Sequence, residues 1–376
     1  MRQKKRPKDE YYSLQPILAL GAHYNMIFGE RSNGKTYAAL EYAIRLFATM
    51  GFQTAIIRRM NEDFISKRAA SYFNPLVKNN VVSKYTDDEY TDIYYYAGRW
   101  YFARYETNAK GMTKRVINEK PFAYAFALSQ MEHEKSNGYP DIKTIIFEEF
   151  ISRMGYLPDE FVLFMNMIST IVRDRNDVKI FMLGNTVNKY CPYFEEMGLR
   201  HIREMNQGDI DVYAIKHASG ETLKIAVEYC KSREKGKKSD FYFSFDNQKL
   251  EMITNGIWEI DIYPHCPIKF RPKDILFTYF IEFNRDLLQC EIVQVGDSMF
   301  TFIHRKTTEL RDTDNDLIYS TKFDSRPNWR RNIKQPVLDI EKRILWFYKA
   351  DKVFYQDNNV GEIVRNYLMW CSKQGG

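Results

Sequence analysis

The stretch Met26–Thr36, MIFGERSNGKT, decides the fold of the first half of this 376-residue chain. It matches G-x-x-x-x-G-K-[ST], with glycines at Gly29 and Gly34 and with Lys35 and Thr36 at its end. Two glycines let the backbone curl so that successive N–H groups point into one concavity that accepts phosphates. Lys35 is expected to reach the β- and γ-phosphates, and the Thr36 hydroxyl is expected to ligate Mg²⁺. The pattern therefore predicts ATP and Mg²⁺ as cofactors.

The residues on either side of this motif have the periodicity that a phosphate-binding loop needs. Residues 25–28 form an apolar run that predicts a buried strand, and residues 37–49 have apolar side chains at helical spacing. A strand that leads through a loop into a helix N-terminus presents N–H groups to an anion. We therefore expect the whole loop to contact the nucleotide, including its variable positions Glu30, Arg31, Ser32 and Asn33.

Residues 1–24 are predicted to be a tail and a lead-in to the first strand. The first ten residues hold five basic side chains and no apolar pattern. A solvated terminus is the ordinary interpretation, with a contact to DNA or RNA as the alternative. Segments just before such loops often lie near the adenine, so Tyr12 or Gln15 is a candidate for that contact.

The composition is that of a globular protein, with 44% hydrophobic and 15% aromatic residues and a net charge of +6. Because this charge is small, nucleic-acid binding has to come from local basic patches. Five cysteines are scattered without C-x-x-C pairs, which argues against zinc and disulfides and for a reducing compartment. No apolar run approaches the length of a membrane span, so we expect no membrane contact.

Further apolar runs predict the other strands of a parallel sheet, at residues 53–58, 144–148 and 178–183. Arg58 and Arg59 end the first of these, at the edge where such sheets bind ligands. They are candidates for contact with DNA, nucleotide or a neighbouring subunit, and a surface ion pair is an equal alternative. Residues 81–127 alternate aromatic and basic side chains, which favours antiparallel strands over a base-stacking surface.

The run TIIFEEF at residues 144–150 ends in two adjacent carboxylates, Glu148 and Glu149. A P-loop ATPase needs one carboxylate here for the Mg²⁺ shell and another to polarise the attacking water. We assign Glu148 to the metal and Glu149 to the attacking water. Asp is more usual at the metal position, so the longer side chain of Glu148 is expected to hold the metal through an intervening water molecule. Asn185 follows the neighbouring strand and is the candidate sensor of the γ-phosphate.

With these residues in view, the chain resembles the DNA-packaging (encapsidation) ATPases of small podoviruses, which are related to the P-loop motors of terminase large subunits. The resemblance is strongest over residues 25–195. Besides the phosphate loop it rests on IIRR (56–59), EKSNGYPDIKTIIFEEF (134–150), TIVRDR (170–175) and LGNTVN (183–188). It implies an α/β ATPase domain of the ASCE type at residues 25–204, with a central parallel sheet.

The resemblance also implies a function. The chain would drive double-stranded viral DNA through the portal of a preformed capsid in the host cytoplasm, as a homomeric ring, a pentamer, with ATP sites between subunits. The resemblance is also compatible with a structural RNA at the portal. Arg173 matches the family's trans-acting arginine finger and Lys135 its second trans-acting basic residue; spacing alone does not choose Arg173 over Arg175. The alternatives are another ring motor, such as a helicase, and an assembly module that uses ATP without translocation.

The second half of the sequence predicts less. The basic run KSREKGKK at residues 231–238 is a solvated linker or a phosphate contact to DNA, for which the candidates are Lys235, Lys237 and Lys238. We place a small linker subdomain at residues 205–255. Residues 256–376 predict strands followed by two helices, at 337–356 and 359–372.

This order of strands and helices resembles the RNase H-like C-terminal α+β domain of terminases, where clustered carboxylates bind two metals and cut DNA. The available acids are Glu259, Asp261, Glu282, Asp286, Glu291 and Asp297, and none lies in a recognisable motif. The podovirus relatives package unit-length genomes. The resemblance therefore implies a vestigial nuclease fold that serves for docking.

Overall fold

The structure is a computed structural model that describes residues 11–130, 138–153, 155–157, 159–186, 191–202, 204–216, 220–231, 263–266 and 268–373. The chain divides into two compact units, residues 1–258 and 259–376. No helix in the described ranges is long and apolar enough to cross a membrane.

The first unit is built on a mixed sheet whose central strands are all parallel. Across the sheet these strands are β6 (Ala123–Ala127), β2 (Gln53–Arg58), β7 (Ile142–Glu148), β8 (Lys179–Asn185), β1 (Tyr24–Gly29) and β10 (Thr222–Tyr229). The predicted strands at 25–28, 53–58, 144–148 and 178–183 are confirmed as β1, β2, β7 and β8. One strand, β8, separates the acidic strand from the strand of the phosphate loop, as the predicted ASCE type requires.

Helices cover both faces of this sheet and give it two hydrophobic clusters. The helix that follows the phosphate loop, α2 (Lys35–Met50), buries Ala39, Leu40, Ala43, Ile44 and Phe47 on one face. On the other face, α6 (Glu160–Val172) buries Phe164, Met167, Ile168 and Ile171. Their 3.6-residue periodicity explains why these segments are helical. The shorter helices are α1 (Gln15–Leu18), α3 (Ser66–Ser71), α4 (Asn74–Lys78), α5 (Val81–Tyr85) and α7 (Pro192–Glu196).

Within the aromatic segment 81–127, residues 92–117 form an antiparallel edge to the sheet as predicted, whereas the prediction is wrong for the helix α5 at 81–85 and for β6, which is parallel to β2. The strands of this edge are β3 (Asp92–Tyr96), β4 (Arg99–Thr107) and β5 (Thr113–Ile117). The strands β3 and β4 are joined by a turn at Ala97-Gly98, and both residues have positive φ angles, of 47° and 75°. Trp100 is fully buried and its indole N–H donates to the Ala69 carbonyl at 2.8 Å. Packing in the core therefore accounts for Trp100 without a base-stacking role.

The expected linker subdomain at residues 205–255 needs a correction. Residues 210–229 form β9 (Ile210–Lys216) and β10, and β10 pairs in parallel with β1, next to the phosphate loop. This part of the chain therefore extends the ATPase sheet. Buried Ile225, Ala226 and Val227 form too short an apolar run to reveal a central strand from periodicity alone.

The second unit contains a sheet in the order β15-β14-β11-β12-β13-β16. The strands are β11 (Ile275–Phe283), β12 (Asp286–Val295), β13 (Ser298–Arg305), β14 (Leu317–Ser320), β15 (Trp329–Arg330) and β16 (Val353–Tyr355). The first three are mutually antiparallel, and β14 continues the sheet in parallel with β11. The strands β11 to β15 all precede the two α-helices described next, which is the order of strands and helices on which the resemblance to RNase H-like domains rests.

Two helices follow β15, as predicted, but the first is shorter. This helix, α8 (Asp339–Lys349), ends before Asp351, which has a φ of 53°, so that β16 can pair with β13 between the two helices. The prediction of one helix over 337–356 is therefore wrong at its C-terminal end. The second helix, α9 (Asn358–Lys373), matches the predicted 359–372 within one residue at each end.

Candidate active site

The parallel sheet brings the predicted catalytic residues to one edge. Because β1, β7 and β8 are parallel, their C-terminal ends meet at the same side of the sheet. Asn185 lies opposite Gly29 in the pairing of β8 with β1, and Glu148 lies opposite Leu183 in the pairing of β7 with β8. The loop, the candidate sensor and the acids therefore share one edge.

The two glycines of the loop occupy positions where side chains do not fit. Gly29 has a φ of 151°, and a Cβ there would lie 3.0 Å from the Cβ of Cys230. Gly34 has a φ of 102° and caps the start of α2 in the left-handed region, which only glycine adopts without strain. The loop backbone can therefore curl tightly above β10, as the motif requires.

Lys35 is buried in a setting that suits an anion. Its Nζ donates to the carbonyl oxygen of Glu30 at 2.6 Å and to Oδ1 of Asn33 at 3.2 Å. Burial lowers the pKa of Lys35 to about 8. A buried ammonium held by neutral oxygens gains strongly from phosphate oxygens, so the residues present fit a nucleotide. Thr36 is exposed in the first turn of α2, where its hydroxyl is accessible to a metal.

The two acids share one arginine. Glu148 is 4% exposed, and its Oε2 lies 2.6 Å from Nη2 of Arg58. Glu149 is exposed, has a φ of 56°, and lies 3.4 Å from Nη1 of the same guanidinium. The left-handed backbone at Glu149 turns the chain away from the strand at the acid. Arg58 therefore touches both acids, and the predicted DNA contact of this residue stays a prediction.

Arg59 forms a buried ion pair, and the predicted DNA contact stays a prediction. Its Nε and Nη2 donate to the two carboxylate oxygens of Glu160 at 2.7 and 2.8 Å, and Glu160 is 2% exposed. Its Nη1 donates to the carbonyl oxygen of Glu149 at 3.2 Å. Tyr193 also donates to Glu160, at 3.0 Å. Arg59 thus anchors the segment after the acids to the start of α6.

The segment before the first strand lies against the loop through Tyr12. Its backbone N–H donates to the carbonyl oxygen of Asn33 at 3.0 Å, and its hydroxyl donates to Oε2 of Glu228 at 2.6 Å. Gln15 is exposed on α1. Sequence reasoning missed Glu228 and Cys230, because both lie in β10 or at its end, in a region assigned to a linker. Burial raises the pKa of both Glu228 and Cys230, the latter to about 12.

The structure gives Arg173 and Arg175 different contacts. Arg175 donates to the carbonyl oxygens of Pro140, Ile142 and Ile171 at 2.7, 2.8 and 2.6 Å. It is therefore committed to holding the start of β7 against α6. Arg173 is exposed at the end of α6, and its guanidinium lies 3.7 Å from the position that a Cβ would take on Gly138.

Several candidates lie outside the described residues. They are Lys135, Lys235, Lys237, Lys238, Glu259 and Asp261.

In the second unit the described acids have basic neighbours. Glu282 lies 2.5 Å from Lys322, Asp286 lies 2.6 Å from Arg305, and Glu291 lies 3.5 Å from His304. Asp297 lies in the turn between β12 and β13. Within the described ranges, no three His, Cys, Asp or Glu side chains are placed to share a metal ion.

Comparison with known proteins identifies the family. A family model described as podovirus DNA encapsidation protein (Gp16) matches residues 7–213, more than half of the chain. This chain belongs to that family. The resemblance found in the sequence is therefore confirmed.

Individual relatives agree with this assignment. The DNA packaging protein of Bacillus phage B103 is 31% identical over 263 residues, which are 69% of this chain and 71% of that protein. The DNA packaging protein of Bacillus phage phi29 is 30% identical over 190 residues, so the chain spans only half the length of that relative. The solved structure of the bacteriophage phi29 viral genome packaging motor assembly has a TM-score of 0.56 and 19% identity, covering 97% of this chain and 99% of that chain. This last likeness shows that the fold is shared.

Proposed function

We propose that this encapsidation-family protein is a Mg²⁺-dependent ATPase that drives double-stranded DNA through the portal of a preformed capsid. The observation that carries the proposal is the strand order β7-β8-β1, which brings the loop lysine, the sensor asparagine and the two acids to one edge. Family membership and the DNA packaging proteins among the relatives support the choice of DNA as the cargo.

Each residue of the site has a defined part in this proposal. Lys35 and the loop N–H groups bind the phosphates, and Thr36 would hold Mg²⁺. Glu148, already paired with Arg58, would hold the ion through a water molecule. When bound, Mg²⁺ neutralises charge on the phosphate oxygens. Glu149 orients and polarises the attacking water, and Asn185 senses the γ-phosphate.

In this proposal, Arg58 slows ATP hydrolysis. Its guanidinium lies 3.4 Å from the Glu149 carboxylate, and a carboxylate that is held by an arginine is not free to orient the attacking water. Glu149 can turn to that water only when the contact is lost. We therefore propose that hydrolysis is slow until the site rearranges around Arg58.

The position of Arg173 supports a role in a neighbouring subunit. The 13-residue helix α6 is about 20 Å long and runs back from the C-terminal edge of the sheet to its N-terminal edge, because β7 and β8 are parallel. Arg173 ends this helix and therefore lies at the edge opposite its own phosphate loop. We propose that it completes the ATP site of the next subunit in a homomeric ring, where it stabilises charge on the γ-phosphate. Lys135, three residues before Gly138 in the sequence, is proposed for the same neighbouring site on the resemblance.

The remaining parts of the proposal concern partners. A ring of five subunits at the portal vertex, in the host cytoplasm and with or without a structural RNA, is the assembly that the family resemblance implies. A motor must accept every sequence, so we expect it to grip DNA through phosphates. Lys235, Lys237 and Lys238 remain candidates for this grip, which should weaken steeply with salt.

The test is ATP hydrolysis by the purified chain with DNA, with procapsids that carry the portal, and with both, beside the Lys35→Ala variant as a blank. The proposal expects the largest stimulation with both partners together. Full stimulation by free single strands without procapsids would favour a helicase. No hydrolysis under any condition would favour an assembly module.

A further inference from the structure

Asn33 joins Lys35 to the segment before the first strand. Its side chain is 3% exposed, and its Oδ1 accepts hydrogen bonds from both the backbone N–H and the Nζ of Lys35, each at 3.2 Å. Its carbonyl oxygen accepts the N–H of Tyr12 at 3.0 Å. The P-loop pattern leaves this position variable, so the motif itself does not explain these bonds.

We propose that Asn33 is a positioning residue that acts on the nucleotide only through Lys35. A lysine ammonium has three donors on a flexible four-carbon stem. One donor goes to the Glu30 carbonyl oxygen and one to Asn33 Oδ1, which leaves the third for a phosphate oxygen. Held in this way, the ammonium is already aimed when the nucleotide arrives, and such preorganisation favours binding and catalysis.

The contacts behind Asn33 make it a firm support. Tyr12 holds its backbone carbonyl oxygen, and the Tyr12 hydroxyl donates to Glu228, on β10, at 2.6 Å. A residue that is fixed at both its backbone and its side chain holds its acceptor oxygen in one place. The hydrogen bonds therefore link β10 to Lys35 through Tyr12 and Asn33.

The inference rests on the proposed nucleotide site, and a double-mutant cycle tests the two separately. The affinity for a fluorescent ATP analogue is measured for the full-length wild type, Asn33→Ala, Lys35→Ala and the double variant. Asn33→Ala is expected to weaken binding about tenfold in the wild type and by less than about twofold in the Lys35→Ala background. Thermal unfolding confirms that each variant is folded. Asn74→Ala, an exposed asparagine on α4, is the matched control and should bind as the wild type does.

Each other outcome has a definite meaning. An equal loss in both backgrounds would show that Asn33 contacts the nucleotide itself or only folds the loop, and would overturn the inference. No loss in the wild-type background would overturn it as well. If Lys35→Ala itself leaves ATP binding unchanged, the failure belongs to the proposed nucleotide site.

Discussion

The two units of this protein hold their charged side chains in opposite ways. At the ligand edge of the first unit, a buried lysine is held by two neutral oxygens, and two acids share one arginine. On the sheet of the second unit, three acids each have their own basic neighbour, in the pairs Glu282–Lys322, Asp286–Arg305 and Glu291–His304. A buried charge without a full partner is costly unless a ligand completes it. The difference supports the proposal that places the chemistry in the first unit, because these three acids of the second unit already have basic neighbours.

The largest effect should come from the loop lysine. Lys35→Ala removes the cation that meets the phosphates and is expected to lower ATP hydrolysis about a thousandfold. Lys322→Ala, the matched change in the second unit, should leave hydrolysis within about twofold, because its partner Glu282 takes no part in the reaction. Steady-state phosphate release with DNA and procapsids measures both. Similar losses in the two variants would remove the contrast between the units.

The carboxylates give the next contrast. Glu149→Gln removes the group that polarises water and should lower turnover about a hundredfold or more, with ATP binding retained. Glu282→Gln should change neither. Single-turnover hydrolysis beside nucleotide binding separates the two effects. Turnover that survives Glu149→Gln would show that another residue activates the water.

Arg59 sharpens the comparison through stability. Arg59→Met leaves the buried Glu160 carboxylate without its cation, which should destabilise the first unit by about 3–5 kcal/mol. Arg305→Met breaks a more exposed pair in the second unit and should cost about 1 kcal/mol or less. Native-state hydrogen exchange of β7 and of β12 reports each unit separately. A drop in DNA affinity for folded Arg59→Met, without loss of protection in β7, would support the DNA contact expected from sequence.

The smallest effect concerns pH in the second unit. The hydrogen bond to Glu291 raises the pKa of His304 above its ordinary value. A raised pKa means that the pair stabilises the fold fully below the ordinary histidine pKa and loses this stabilisation as pH rises through the folded-state value. Exchange protection in β12 and β13 should therefore fall modestly between about pH 6 and pH 8, and His304→Gln should flatten that dependence. An unchanged slope in the variant would assign the titration to another group.

The sequence predicts the central sheet and its active edge well, because a phosphate loop and four apolar runs mark them directly. It does not predict β10, whose buried run is short and follows a loop-like segment. Arg59 also escapes sequence reasoning, since its partner Glu160 lies 101 residues further along the chain.

The sequence also does not decide between Arg173 and Arg175 as the arginine finger, for a similar reason. That choice depends on which guanidinium the carbonyls at residues 140–142 capture, and only the fold brings those carbonyls to the end of α6. Contacts between distant segments are therefore what the pattern of residues leaves out.

One measurement tests the shared ATP site most directly. Subunits with Arg173→Ala keep an intact loop, and subunits with Lys35→Ala keep an intact arginine, so a ring that contains both has some complete sites. ATP hydrolysis is measured across mixing ratios of the two inactive variants, with DNA and procapsids present. The account predicts activity above either variant alone, with a maximum at intermediate ratios. Activity that stays at the level of the separate variants at every ratio would contradict it.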